Sequence, residues 1–343
     1  MRKDIDKVYL IETIRQKLGI QIEDIDILKL KGDASDREYF RLKLYSNFNN
    51  TPSNISSLIL MKLNGNNFEA NPSFIEILFY LKRCELNIPS LYYYDQKPGF
   101  IFLQDLGDLT LEKKVKGRGS KFYYTFYKQA INDLLKLQIR GTRDLNPDCV
   151  ASHLFFDVEK FMWELLFFME HYVERLKNIK LNSVNRHAVE KLFLEISQTL
   201  DNEPKYLTHR DYHSRNLMVF NDQLWMIDFQ DARMGLCQYD LASLLRDSYV
   251  VLEEKLVDDL IEYYITKKEE LEGKGIDRAY FRRIFDYISI QRNLKAVGTF
   301  AYQVVVKKND RYLQYIPSTL NYVKKNLDKY NELRGLRELS WLN

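Results

Sequence analysis

The residues best placed to do chemistry lie in one short stretch. His209-Arg210-Asp211 is followed, after four residues, by Asn216, and Asp228 comes twelve residues later at the end of Leu224-Trp225-Met226-Ile227. Phosphoryl transfer needs these parts at this spacing. A carboxylate, Asp211, orients an attacking hydroxyl and accepts its proton. An amide and a second carboxylate, Asn216 and Asp228, supply oxygen to Mg²⁺, a hard cation that bridges the phosphates of ATP. Isolated Asp and Asn residues usually make only structural hydrogen bonds. Here the joint spacing, with both motifs beside apolar strands, points to catalysis.

Such residues need elements to hold them. Val8, Ile11, Ile14 and Leu18 recur at helical spacing, with Gly19 as a stop. Ile25, Ile27 and Leu30 suggest a strand, Phe40, Leu42 and Leu44 a second, and residues 58–63 a third. Pro72-Ser73 opens a helix to about Cys84, and strands are expected at 91–94 and 100–103. Beyond Asp105-Leu106-Gly107 helices are expected at 121–139, 158–176, 184–200, 239–252, 256–272, 278–306 and 318–331. One hairpin interrupts them, 217–220 with 224–227, joined by Asn221-Asp222. The pattern predicts an α+β, protein-kinase-like bilobal fold with a small antiparallel sheet, one inserted helix and a mostly helical remainder. Residues 1–105 would form a nucleotide-binding lobe and 106–343 a catalytic and substrate lobe, with the site in the cleft between them.

Bulk properties narrow the class. A chain of 343 residues, 45% hydrophobic and 29% charged, can bury a substantial core. Its formal charge of +3 argues against a nucleic-acid or membrane partner. No signal peptide or spanning segment is visible. Cys84, Cys149 and Cys237 are widely spaced and odd in number, so neither disulfides nor zinc is suggested. A cytoplasmic location is expected.

The segments His209 to Met218 and Ile227-Asp228-Phe229-Gln230-Asp231-Ala232-Arg233 resemble the aminoglycoside-phosphotransferase superfamily. Within it, the resemblance is to the branch of anomeric kinases of N-acetylmuramate and N-acetylglucosamine. Gly32-Asp33-Ala34-Ser35 with Arg37, Tyr39, Phe40 and Arg41 fits that branch, as do Leu103 to Asp108 and Tyr239 to Asp247. Gln291-Arg292 to Gly298, Phe300, and Tyr312 to Pro317 extend the likeness over roughly residues 28–330.

The nucleotide side is less complete. Only Gly32 occupies the turn where a protein kinase has three glycines; the loop 31–38 would still offer backbone N–H groups to phosphates, assisted by Ser35 and Arg37. Lys62 stands where a kinase places its phosphate-contacting lysine, with Glu76 as its natural ion-pair partner. Gln104, Asp105 and Leu106 would form the hinge that binds the adenine edge. His209 and His213 have no third ligand for zinc. His209 and Arg210 are expected among the catalytic residues with Asp211, His209 by bracing the loop, while His213, Arg215 and Asp231 are candidates for the acceptor pocket. Tyr239-Asp240 and Arg246 look like scaffold.

The expected function is ATP- and Mg²⁺-dependent transfer to a small acceptor, without a covalent enzyme intermediate. The resemblance implies the anomeric hydroxyl of an amino sugar, in cell-wall recycling. An aminoglycoside, an amino alcohol or another sugar is the alternative acceptor. A catalytically silent nucleotide-binding module is the alternative of another class, opposed by the intact Asp211, Asn216 and Asp228. The short interval from Asp228 to Tyr239 leaves no room for a peptide-docking segment. Oligomeric state is not legible.

Overall fold

The computed structural model describes residues 5–30, 37–46, 55–63 and 72–338. It opens with helix α1, Lys7–Lys17, whose first free N–H groups (Val8 and Tyr9) donate to the Asp6 carboxylate. Gly19, at φ +69°, turns the chain out of the helix.

Five strands follow: β1 Asp24–Lys29, β2 Glu38–Tyr45, β3 Ser57–Lys62, β4 Leu91–Asp95 and β5 Phe100–Gln104. They form one antiparallel sheet in the order β1-β2-β3-β5-β4. Helix α2, Ser73–Arg83, is inserted between β3 and β4. The two central strands β3 and β5 are nearly continuous apolar runs because both sheet faces are covered. Leu58, Leu60 and Phe102 pack toward α1 with Leu10 and Ile14, whereas Met61, Ile101 and Leu103 join the core with α2. Period-two alternation sends neighbours to opposite faces, so a doubly covered strand must be apolar throughout.

The remainder is mostly helical, as expected of the α+β class. The larger helices are α4 Ser120–Arg143, α5 Val158–Phe168, α6 Ser183–Asp201, α8 Glu254–Glu272, α9 Arg278–Val305 and α10 Ile316–Leu327. Shorter ones are α3 Leu111–Val115, α7 Gln238–Leu245 and α11 Arg334–Arg337. Gly298 on α9 is where that helix meets α5: a Cβ there would lie 2.7 Å from the Phe168 Cα.

Several boundaries differ from the sequence expectation. The helix expected at 158–176 is α-helical only through Phe168 and continues as π-helix over Met169–Leu176. The helix expected at 239–252 ends at Leu245, because Asp247 turns to bond the loop at Ser214. Buried Val250 and Leu252 carried the apolar signal past that end. The expected helix at 318–331 instead starts at Ile316, with Pro317 in its first turn, and stops at Leu327.

Two small ribbons escaped or matched the sequence reading. β7 Leu217–Phe220 and β8 Gln223–Met226 form the expected hairpin, with Asn221 and Asp222 at φ +50° and +56°. Asn and Asp tolerate the left-handed region that a tight two-residue hairpin turn demands. β6 Lys205–Thr208 and β9 Arg233–Leu236 pair with one another and were not foreseen. Four residues are too few to display a period.

Candidate active site

The two ribbons build the site. Thr208 is in register with Arg233, and Leu217 with Met226. The loop 209–216 and the segment 227–232 therefore leave matched ribbon ends and face each other. The Ile227 N–H donates to the Asn216 carbonyl at 3.0 Å.

Two buried aspartates clamp this loop at its ends. Asp240, in α7, accepts from the backbone N–H of His209 at 2.6 Å and of Arg210 at 3.0 Å. Burial pushes the Asp240 carboxyl up to about 7, against the pull of those two N–H groups. Asp247 accepts from Ser214 N at 3.0 Å and Ser214 Oγ at 2.5 Å, and burial raises it as well. The clamp holds Arg210 at φ +80°, and Asp228 opposite it takes +65°. Each such non-glycine residue costs roughly 1–3 kcal/mol, which the surrounding bonds offset.

His209 is buried, with Nε2 3.0 Å from the Ile227 carbonyl and Nδ1 3.3 Å from the Asp211 N–H. Burial lowers its pKa, so it is a neutral imidazole with its proton on Nε2, tying the loop to the opposite segment. Asp211 faces Lys295 of α9, Oδ1 to Nζ 3.2 Å. Burial alone would raise the Asp211 carboxyl. Lys295, Arg210 and Arg292 outweigh it and hold the group well below the usual carboxylate range.

The Asn216 side-chain N–H donates to the Asp211 carbonyl at 3.0 Å, leaving Oδ1 as the amide's acceptor. Asp228 Oδ1 accepts from Gln230 Nε2 at 2.7 Å, and its Oδ2 lies 3.5 Å from Asn216 Nδ2. Among the described residues no cluster of three or more His, Cys, Asp or Glu could hold a metal unaided. One carboxylate, Asp228, and one amide oxygen, that of Asn216, are hard oxygen donors of the kind that would hold Mg²⁺.

Two cavities meet at these residues. One, about 350 Å³, lies between the sheet and the helical part; Ile59, Leu103, Leu106, Met218 and Ile227 give it apolar walls, and Gln104 and Asp105 form an edge. The other, about 210 Å³, runs under α9, lined by Asp211, His213, Arg292, Lys295, Thr299 and Gln303. Arg215, Asn216 and Asp228 line both.

The structure thus brings Asp211, Asn216, Asp228, His213 and Arg215 together, with His209 beneath them. Other expected residues are placed differently. Gly32 and Ser35 lie outside the described residues. Lys62 is 3.5 Å from Glu38, while Glu76 accepts from the Val150 N–H at 2.9 Å, so the expected Lys62–Glu76 pair does not form. Arg37 sits beside Tyr39, a wall of the first cavity. The carboxylate of Asp105, expected at a hinge, is taken by Arg41, Ser57 and the Gly107 N–H. Asp231 pairs with Arg210 at 3.1 Å and lines neither cavity.

The sequence reading gave no role to Lys295, Arg292, Thr299, Gln303 or Asp247. A signal existed for four of them. Arg292, Lys295, Thr299 and Gln303 recur at helical spacing and put a polar stripe along a largely apolar helix.

The model of the phosphotransferase enzyme family matches residues 26–275. The chain is 31% identical over 323 residues to the N-acetylmuramate/N-acetylglucosamine kinase of Neisseria meningitidis, covering 92% of this chain and 90% of that protein. Among solved structures, choline kinase from Cryptosporidium parvum superposes with a TM-score of 0.62 at 11% identity, covering 98% and 99% of the two chains. An aminoglycoside phosphotransferase with ADP bound gives 0.57 at 16% identity, over 96% and 99%. These likenesses establish a fold shared with both groups.

Proposed function

Since the chain belongs to the phosphotransferase enzyme family, we propose that it transfers the γ-phosphoryl group of ATP to the anomeric hydroxyl of an amino sugar, N-acetylmuramate or N-acetylglucosamine. The observation that carries this reading is the sharing of Arg215, Asn216 and Asp228 by two cavities. A donor in one and an acceptor in the other would meet at Asp211. The sugar comes from the name of the Neisseria relative. The second cavity also favours it over a polycationic aminoglycoside, because Arg215, Arg292 and Lys295 balance its Asp211, Asp228 and Asp247.

In this reading residues 1–105 form the nucleotide-binding lobe. The adenine packs between Ile59, Leu103, Met218 and Ile227, with its edge on the backbone of Gln104 to Leu106. Asn216 and Asp228 would hold Mg²⁺, which would supply positive charge against the phosphates. Asp211 accepts a hydrogen bond from the acceptor hydroxyl and aims its lone pair at the γ-phosphorus. The acceptor O–P bond forms as the bond to the β,γ-bridging oxygen breaks, and ADP leaves with that electron pair. Held ionised by Lys295, Asp211 is too weak a base to take the proton early. It receives the proton once bonding to phosphorus has acidified the hydroxyl, as a loose transition state requires. Arg215, anchored by Glu112 at 2.8 Å, contributes positive charge where the cavities join.

The test is incubation with ATP, Mg²⁺ and a panel of amino sugars, aminoglycosides and amino alcohols, following ADP release and product mass. Phosphorylated N-acetylmuramate or N-acetylglucosamine with its reducing end lost supports the reading. Turnover confined to another acceptor, or no turnover, overturns it.

A further inference from the structure

Arg292 is a buried guanidinium, 5% exposed, in the wall of the second cavity. Its Nε has no hydrogen-bond partner, and it forms no ion pair among the described residues. The other two cations of that cavity are engaged. Arg215 bonds Glu112 and the Tyr315 hydroxyl, and Lys295 bonds Asp211. The nearby anions are engaged too: Asp211 by Lys295, Asp228 by Gln230, Asp240 by the His209 and Arg210 N–H groups, and Asp247 by Ser214 and the Tyr249 N–H. Asp211, Asp240 and Asp247 attract the Arg292 charge from a distance, but none of them bonds it, so its buried N–H groups are left for an acceptor that a ligand brings. His213 adds a second orphan on the same wall, its buried Nδ1 lacking a partner.

Resting on the sugar-kinase reading above, we propose that Arg292 is the specificity-determining residue for a carboxylate carried by the acceptor sugar. The planar guanidinium matches a carboxylate with two parallel N–H donors, a geometry a hydroxyl or acetamido group cannot fill. The two sugars in the name of the Neisseria relative differ by one O-linked lactyl group. Only N-acetylmuramate carries the anion. Arg292 therefore makes the acidic sugar the preferred acceptor, and His213 takes an uncharged polar group of either sugar.

The experiment compares kcat/KM for N-acetylmuramate and for N-acetylglucosamine in the wild-type protein, Arg292→Gln and Arg292→Lys. The wild type should prefer the acidic sugar. Arg292→Gln should lower the ratio of acidic to neutral kcat/KM by about 10- to 100-fold, the range expected for hydrogen bonds to a charged group. Arg292→Lys should keep an intermediate ratio, since it retains the charge and loses the fork. A ratio moved less than about threefold by Arg292→Gln, even with both activities reduced, would overturn the assignment and leave the sugar-kinase reading standing. So would a wild type that prefers the neutral sugar. A wild type active on neither sugar would remove that reading and this inference together. If Arg292→Gln does not fold, the carboxamide of N-acetylmuramate probes the wild type instead: a loss of tenfold or more against the acid supports the proposal, and equal turnover refutes it.

Discussion

The Lys295 ammonium on α9 stands 3.2 Å from Oδ1 of Asp211, 84 residues earlier in the chain. The contact ties the longest helix of the chain to the centre of the loop between β6 and β7. Asp211 is the lowered partner of this pair. Its ionised form stabilises the fold above the unfolded carboxyl value of about 3.9, and that contribution is lost as pH falls below it.

Removing the ammonium should therefore move the chemistry's pH dependence. Lys295→Met leaves burial less opposed, so the Asp211 carboxyl rises. Between pH 4 and 8 the wild-type kcat should show no acidic limb from Asp211, and the variant should gain one, with kcat reduced about 10- to 100-fold. A lower kcat with no acidic limb gained would mean that Lys295 acts by packing alone.

Asp211→Ala removes the group proposed to orient the acceptor. Turnover should fall by orders of magnitude while ATP still binds, which calorimetric titration of ATP alongside ADP-release assays would reveal. Unchanged turnover would sink the mechanism.

The loop clamp can be tested one atom at a time. Asp240→Asn replaces one acceptor oxygen with an NH₂ group facing a backbone N–H of His209 or Arg210. A buried donor left unmatched costs about 1–3 kcal/mol, so the denaturant midpoint should drop accordingly. Because Arg210 and Asp211 are displaced together, kcat should fall more than the KM for ATP rises.

Chelation of Mg²⁺ should abolish turnover, and its readdition should restore it. Asn216→Ala deletes one of the two protein oxygens available to the ion, and should raise the half-saturating Mg²⁺ concentration by tenfold or more. Titration of activity with Mg²⁺ at fixed ATP measures this. An unchanged titration would take Asn216 out of the metal site.

At the proposed hinge, Arg41 reaches both oxygens of Asp105, at 2.7 and 3.1 Å, and the Asp105 side chain is 6% exposed. Arg41→Ala leaves that carboxylate without its cation and should destabilise the fold by on the order of 3 kcal/mol. The KM for ATP should rise with it, because the same carboxylate fixes the Gly107 N–H at 2.9 Å and so the course of the hinge backbone. Thermal melting and initial rates against ATP concentration check the two effects.

What the sequence by itself determined is the part of the site whose geometry is local. Asp211, Asn216 and Asp228 sit on one loop and at the end of one hairpin, so their spacing constrains where they can go. The alternating strands and amphipathic helices were legible for a related reason: periodicity records which face each element must bury. Tertiary structure alone decided which distant groups those residues meet. Lys295 and Arg292 face the loop because α9 packs there, and Glu76 turns to Val150 because the chain beyond α4 passes α2 at that point. Asp231 is local, but it pairs with Arg210 at 3.1 Å instead of lining either cavity. Contacts across many residues depend on how helices dock, and docking is driven by burial of whole faces rather than by any one polar residue, so no spacing in the chain records them.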